Sequence, residues 1–366
     1  MVTIVAFLIL LGILVLVHEV GHFQVARRLK IGVEEFGLGF PPRLASKIKD
    51  GIVYSLNWVP LGGFVKIKGE NGDLITEPDS FSIQPFWKKF LVLVAGVAMN
   101  IVLGWFLLSI GLIIGLPGVV DQSVAGKAID SQIQITQVLP KSAAATAGLH
   151  LGDIIKNIDG QTFKTPEGYV QYIQSHSDKV FTLEIERKNQ KQEIRAQAQT
   201  VPGQTNKILG VNLAQTGLIK YSWWRAPWEA LKLTGFIVAQ IFISLAKLIG
   251  GLVTGHGTAA SLSGPVGVAV MTGQMVDLGF RYLLQFAALL SLNLAVINIL
   301  PIPALDGGRI LFIIIEKIRR KPNRASLENA FHQTGFALLL ILVALITYKD
   351  LLLYTSSWWQ QLKNLF

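Results

Sequence analysis

The chain has 366 residues, 51% hydrophobic and only 15% charged, against roughly 25% charged in soluble globular domains; an ordinary soluble protein is excluded. The absence of cysteine excludes disulfides, thiolate catalysis and thiolate-bound metals. The net charge of +10 comes with no nucleic-acid motif, and its basic residues cluster beside apolar runs, as loops flanking membrane spans do. A lipid bilayer, and no nucleic acid, is the expected partner of such a surface.

In chain order, the first element is the apolar run Val2–Arg27, long enough to cross a hydrocarbon core that takes roughly 20 residues. Basic residues follow it and no small-residue cleavage site ends it, so it reads as a retained span and not a signal peptide. Inside it, His18-Glu19-Val20-Gly21-His22 matches the His-Glu-x-x-His pattern. On a helix, residues four apart project from nearly the same face. Two imidazoles can then share one Zn²⁺ while the intervening glutamate activates water. A metal offsets the cost of burying these groups in lipid; the alternative is a histidine pair making helix contacts. Gly21 weakens the local helix, which a purely structural segment has no reason to accept.

The loop from Arg27 to Lys89 holds ten basic residues, and Lys317, Arg319, Arg320, Lys321 and Arg324 form a second cluster. The positive-inside rule places both in the cytoplasm, and both termini and the Pro117–Arg281 region outside. A second span covers Phe90–Leu116. Next comes a soluble domain, about Ser123–Thr200, with alternating strands such as "SQIQITQVL" and "VFTLEIER" bounded by polar turns. Within it "AGLHLGDIIKNIDGQ" (Ala147–Gln161) resembles the signature of PDZ domains, which bind extended peptides as an added strand. A small β-domain without a ligand is the alternative. "FGLGF" (Phe36–Phe40) imitates a PDZ carboxylate loop but has no PDZ pattern after it. Trp228–Val253 is apolar enough to span, yet one extra crossing puts a basic cluster on the wrong side. Trp223, Trp224, Trp228, Lys232 and Lys247 suit a helix lying in the interface.

The third apolar run, Tyr282–Lys317, contains "NILPIPALDGGRILFIII" (Asn298–Ile315). Pro301 and Pro303 break the helix, and Gly307–Gly308 let the backbone bend. Irregular backbone at membrane depth needs protein or a water-filled cavity around it. Catalytic zinc generally keeps three protein ligands and one open position, so a third histidine or carboxylate is expected at the depth of the first pair. His18 and His22 precede Arg27 by nine and five residues, and Asp306 precedes Arg319 by thirteen, which puts all three in the cytoplasmic half. Asp306 is the candidate; a cavity-lining carboxylate or a partner for Arg309 is the alternative. His150, His176, His256 and His332 read as surface or loop histidines. A fourth span covers Gly335–Leu353.

Together these motifs resemble the site-2 protease family of intramembrane zinc metalloproteases, in its bacterial RseP-like branch, over nearly the whole chain. His18, Glu19 and His22 match the family's first motif, and Asn298 through Gly308 its Asn-x-x-Pro-x-Pro-x-Leu-Asp-Gly-Gly motif. "PLGGFVKIKGE" (Pro60–Glu70) looks like the family's membrane-dipping β-hairpin, and "SGPVG" (Ser263–Gly267) like another family segment. "AGVAMN" (Ala95–Asn100) is similar to the family's Ala-Gly-Pro-x-x-Asn, with Val97 in place of proline. The resemblance implies that His18, His22 and Asp306 hold Zn²⁺ and that Glu19 is the general base. It implies that Asn298 holds the substrate backbone or stabilises the oxyanion, and that Gly62, Gly63 and Phe64 line the strand that pairs with substrate.

The implied fold is a polytopic α-helical membrane protein with about four transmembrane helices, an inserted extracytoplasmic α+β PDZ domain and a cytoplasmic-side β-hairpin. Its expected divisions are a first span at 1–28, the hairpin loop at 29–89 and a second span at 90–116. The PDZ domain follows at 123–200, an interfacial helix with the SGPVG segment at 221–280, and further spans at 281–318 and 334–354. The implied activity is cleavage, in the inner membrane, of transmembrane segments already trimmed outside, as in anti-sigma factors and signal-peptide remnants. A substrate C-terminus or peptide is the expected PDZ ligand. Two rivals are an inactive membrane-anchored PDZ scaffold and a transporter with broken helices; the latter predicts inverted repeats, and none is evident.

Overall fold

The computed structural model describes residues 2–70, 72, 76–120, 128–139, 142–187, 190–200, 207–254, 264–321, 323 and 325–363. Ser263 and His256 lie outside them. The chain divides into two compact units, one built from Met1–Leu108, Glu229–Val276 and Phe286–Phe366, the other from Ser109–Trp228 and Asp277–Gln285.

In the first unit, α1 (Val2–Arg28) ends on Arg27 and Arg28, cations that favour the negative end of a helix dipole. Lys30 turns into the left-handed region, and Ile31 N–H closes back on the Ala26 carbonyl, a Schellman-type stop. Strands β1 (Val33–Lys49) and β2 (Ile52–Ile67) follow as one antiparallel pair. Asp50 and Gly51, both with positive φ, make the two-residue turn that a tight hairpin requires. The strands are long enough to fold back: Phe36, Gly37 and Leu38 pair with Val65, Phe64 and Gly63 on one side and with Tyr54, Ser55 and Leu56 on the other. The Gly63–Val65 segment is therefore an edge.

Helix α2 (Phe86–Ile114) passes α1 at close range. A Cβ on Gly21 would lie 2.5 Å from the Ala95 carbonyl oxygen, and one on Gly96 would collide with His22. Small residues allow such approach between apolar helices, so Gly21 has a packing reason that the sequence argument denied it. Ala26, Ile31, Val33, Ile67, Phe81, Val92, Leu93, Ile310 and Ile313 form the buried core joining these elements.

The third apolar run is two helices, α7 (Phe280–Ile299) and α8 (Asp306–Arg319). Between them Ala304 sits at φ 69°, and Pro301 and Pro303 remove two backbone donors. Helix α9 (Ala325–Lys363) packs behind this break: Ala304 N–H donates to His332 Nδ1 at 3.0 Å. Its buried Asp350 accepts from Gly264 N–H at 2.9 Å and Gly267 N–H at 2.8 Å, capping α6 (Pro265–Leu278). That contact gives the Gly-Pro-Val-Gly segment a structural role. Counting α5 (Ala226–Val253), five described helices are long and apolar enough to cross a membrane; on sequence alone α5 was assigned to the interface and four were expected.

The second unit carries a six-stranded sheet of β3 (Leu116–Val119), β4 (Ala128–Val138), β5 (Ile154–Ile158), β6 (Val180–Arg187), β7 (Gln190–Gln197) and β10 (Val211–Ile219), in the order β3-β10-β4-β5-β6-β7. The remaining strands, β8 (Gln199–Thr200) and β9 (Lys207–Ile208), pair with each other. Two helices, α3 (Ala143–Thr146) and α4 (Pro166–Ser175), accompany the sheet. Ile135, Leu149, Ile158, Tyr169, Phe181 and Leu183 fill its core. The signature Asp153 is buried in a bidentate pair with Arg187, at 2.7 and 2.6 Å, and accepts the His150 N–H. The sheet reaches past the expected 123–200 at both ends, because β10 inserts beside β4.

Candidate metal centre

His18 and His22 stand one turn apart on α1, 6% and 5% exposed, with rings edge to face at 4.7 Å. Asp306 opens α8. Its Oδ2 lies 3.0 Å from His18 Nε2 and 3.3 Å from His22 Nε2, and the two Nε2 atoms are 3.1 Å apart. These three residues are the one group of potential ligands of this kind among the described residues. The buried Asp306 Oδ2 finds no hydrogen-bond donor of acceptable geometry. Ligand atoms about 2 Å from a tetrahedral zinc stand about 3.3 Å from each other. The triangle of two nitrogens and an orphaned oxygen is close to that size, so the donor set fits zinc.

The outer contacts favour the same arrangement. His22 Nδ1–H donates to the Val92 carbonyl at 2.8 Å, which leaves the Nε2 lone pair pointing into the triangle. The Asn100 carboxamide is 3.2 Å from His18 Nδ1, and its oxygen is otherwise unpartnered. Turned toward the ring, that oxygen accepts Nδ1–H and frees His18 Nε2 in the same way. The sequence "AGVAMN" by itself gives Asn100 no role. The only signal was an amide in an apolar helix, and its partner lies 82 residues away.

Glu19 lies beside the triangle, and Val65 N–H donates to its Oε2 at 3.0 Å. That N–H belongs to the hairpin edge turned toward α1. Gly62, at φ 106°, packs against Val15 of α1. A Cβ on Gly63 would lie 2.7 Å from the Gly37 carbonyl oxygen, and Phe64 stacks on Phe40 with centroids 6.3 Å apart. The Asn298 amide is 3.4 Å from His18 Nε2. A cavity of about 220 Å³ is lined by Val15, His18, Glu19, Leu294, Asn298, Ala304, Leu305 and Asp306.

Arg309 pairs with Glu70 at the end of the hairpin, leaving Asp306 to the histidines. His332, expected on a surface or loop, lies within α9 and supports the α7–α8 break from there. His150 and His176 belong to the second unit, where burial and then the Arg187 charge hold the His150 imidazole below its ordinary range, and His176 contacts the Tyr172 carbonyl at 3.0 Å.

Residues 6–342 match the family model described as peptidase family M50. The zinc metalloprotease RasP of Geobacillus kaustophilus is 30% identical, covering 95% of this chain and 97% of its own. The regulator of sigma-W protease RasP of Bacillus subtilis is 28% identical, covering 95% and 98%. A crystal structure of the PDZ domain of an SdrC-like protein from Listeria innocua aligns with 22% of this chain and 92% of its own, at 24% identity and a TM-score of 0.21.

Proposed function

This chain belongs to peptidase family M50, and from that premise we propose how its residues carry out proteolysis inside the membrane. The protein is a site-2 type zinc metalloprotease of regulated intramembrane proteolysis. His18 Nε2, His22 Nε2 and Asp306 Oδ2 would hold the zinc, whose Lewis acidity would supply a water nucleophile at neutral pH. Glu19 is the general base: with Oε2 fixed by Val65 N–H, Oε1 is left to take a proton from the attacking water and pass it to the leaving nitrogen. The Asn298 amide donates to the substrate carbonyl oxygen as negative charge develops there.

A transmembrane helix offers no free backbone groups, so the substrate must unwind before attack. The hairpin edge at Gly62, Gly63 and Phe64 receives the unwound segment as an added strand, ending at Val65, whose N–H already marks the position of Glu19. The substrates are membrane-anchored anti-sigma factors or signal-peptide remnants trimmed beforehand. The second unit is an extracytoplasmic PDZ domain that screens their remaining ends. Four spans, with α7 and α8 sharing one crossing and α5 in the interface, keep both basic clusters in the cytoplasm.

The observation carrying this reading is the convergence of His18, His22 and Asp306, with His18, Glu19 and Asp306 lining one cavity. Glu19→Gln tests it. Zinc content should be unchanged while cleavage of a model transmembrane substrate falls by about 100-fold or more. Retained cleavage would sink the mechanism, and loss of cleavage together with zinc would show that Glu19 is a ligand. An inactive scaffold would bind no stoichiometric zinc in the wild type.

A further inference from the structure

A second cavity, of about 270 Å³, lies between the first turn of α2 and the last turns of α8. It is lined by Gln84, Phe86, Lys89, Ile313, Glu316, Lys317, Arg320 and Lys321. Four cations thus face one carboxylate. Lys89 is buried, 3.5 Å from Glu316, and that pair consumes the single negative charge. Lys317, with its ammonium 4.1 Å from the Phe86 ring centroid, Arg320 and Lys321 make no ion pair among the described residues.

The cationic wall is built into the fold. Arg320 adopts the left-handed conformation that ends α8, and the Asn323 amide donates to the Phe312 carbonyl at 2.8 Å, tying Asn323 back to the helix. Part of this charge offsets the helix dipole. A dipole needs no cavity, and three uncompensated cations around an aromatic floor suit a phosphate.

The surroundings identify the source of that phosphate. Trp87 is 51% exposed with the Lys88 ammonium over its face, an aromatic–cation pair typical of the membrane–water interface. Leu91 on α2 and Ile314 and Ile318 on α8 are exposed apolar residues flanking the cations, placed to meet acyl chains. Basic pockets between helices at this level take anionic lipid headgroups. We propose that the Lys317–Arg320–Lys321 cavity binds the phosphate of an anionic phospholipid. The headgroup then bridges α2, which carries Val92, Gly96 and Asn100, to α8, which begins at Asp306.

Native mass spectrometry of the full-length zinc-loaded protein tests this with dioctanoyl phosphatidylglycerol, with phosphatidylcholine of the same chain length and with inorganic phosphate. Phosphatidylglycerol should bind about tenfold or more tightly than phosphatidylcholine, as three screened cations near a headgroup allow. Lys317→Gln/Arg320→Gln/Lys321→Gln should erase that preference. The charge-matched Arg28→Gln/Lys47→Gln/Lys49→Gln, at exposed sites outside the cavity, should keep it. Zinc content reports that each variant is folded; if the triple variant loses zinc, Lys317→Gln alone should still reduce the preference about threefold. Equal binding of the two lipids, or equal loss in both triple variants, overturns the site in favour of diffuse surface charge. Competition by inorganic phosphate at the same concentration as the lipid overturns the lipid as its source.

Discussion

At the residue scale, the instructive side chain is Asn100. Fully buried on α2, it has its carboxamide on His18 Nδ1, and its backbone carbonyl accepts from Ser291 Oγ at 2.7 Å. Outer contacts of this kind typically govern metal affinity by 10–100-fold. Asn100→Ala should therefore weaken zinc binding by roughly that factor in a competition titration against a chelator. Asn100→Asp, which keeps an acceptor at His18 Nδ1, should recover most of it; unchanged affinity in both would leave Asn100 a packing residue. His18, Glu19 and His22 were legible because one helical turn fixes their relation, and Asp306 because it is an acid in an apolar run. Asn100 and His332 were not, because each acts on a residue brought near only by packing of separate helices.

At the element scale, the proposal has the hairpin edge decide how substrate meets Glu19. Val65→Pro tests this, since proline is tolerated on edge strands while removing the N–H. It should retain zinc and lower kcat/KM by about 10-fold or more, the value of a lost charge-assisted hydrogen bond of about 1.5–3 kcal/mol. Val65→Ala, which keeps the N–H, should stay within about threefold of wild type; equal loss in both variants would show that the side chain matters and the edge does not. The prolines and glycines announced the break before Asp306, but the doubled pairing of Phe36–Leu38 was hidden, because a strand with two partners has the same alternation as a strand with one. Helix α5 shows the opposite limit: its composition suits both a span and an interfacial helix, and length does not separate them.

At the scale of the whole molecule, the second unit is a separable filter in this proposal, and the sheet order dictates how to remove it. A cut at Ser123–Thr200 would leave β10 without β4, since those strands pair from Val211↔Val138 to Ile219↔Ala128. The signature Gly152-Asp153 located the domain, but its last strand returns after a long connection, and no local pattern at Val211–Ile219 tells which sheet it joins. Strands β3 and β10 pair from Leu116↔Ile219 to Val119↔Thr216, and Val120 N–H already donates to the Gln215 carbonyl. Replacing residues 121–214 by an Asn-Gly turn therefore closes a β3–β10 hairpin without disturbing their register. All the proposed zinc ligands lie outside the excised segment, so this variant should bind zinc and cut a pre-trimmed substrate at a rate within about threefold of wild type. An intact precursor with its bulky external domain, which the wild type should refuse, should now be cut as well. A variant that binds zinc and cuts the trimmed substrate but still refuses the intact one would move the filter into the membrane unit. Ala226–Val253, with its exposed Leu231, Phe236, Phe242 and Ile249, would then be the element to mutate as the gate.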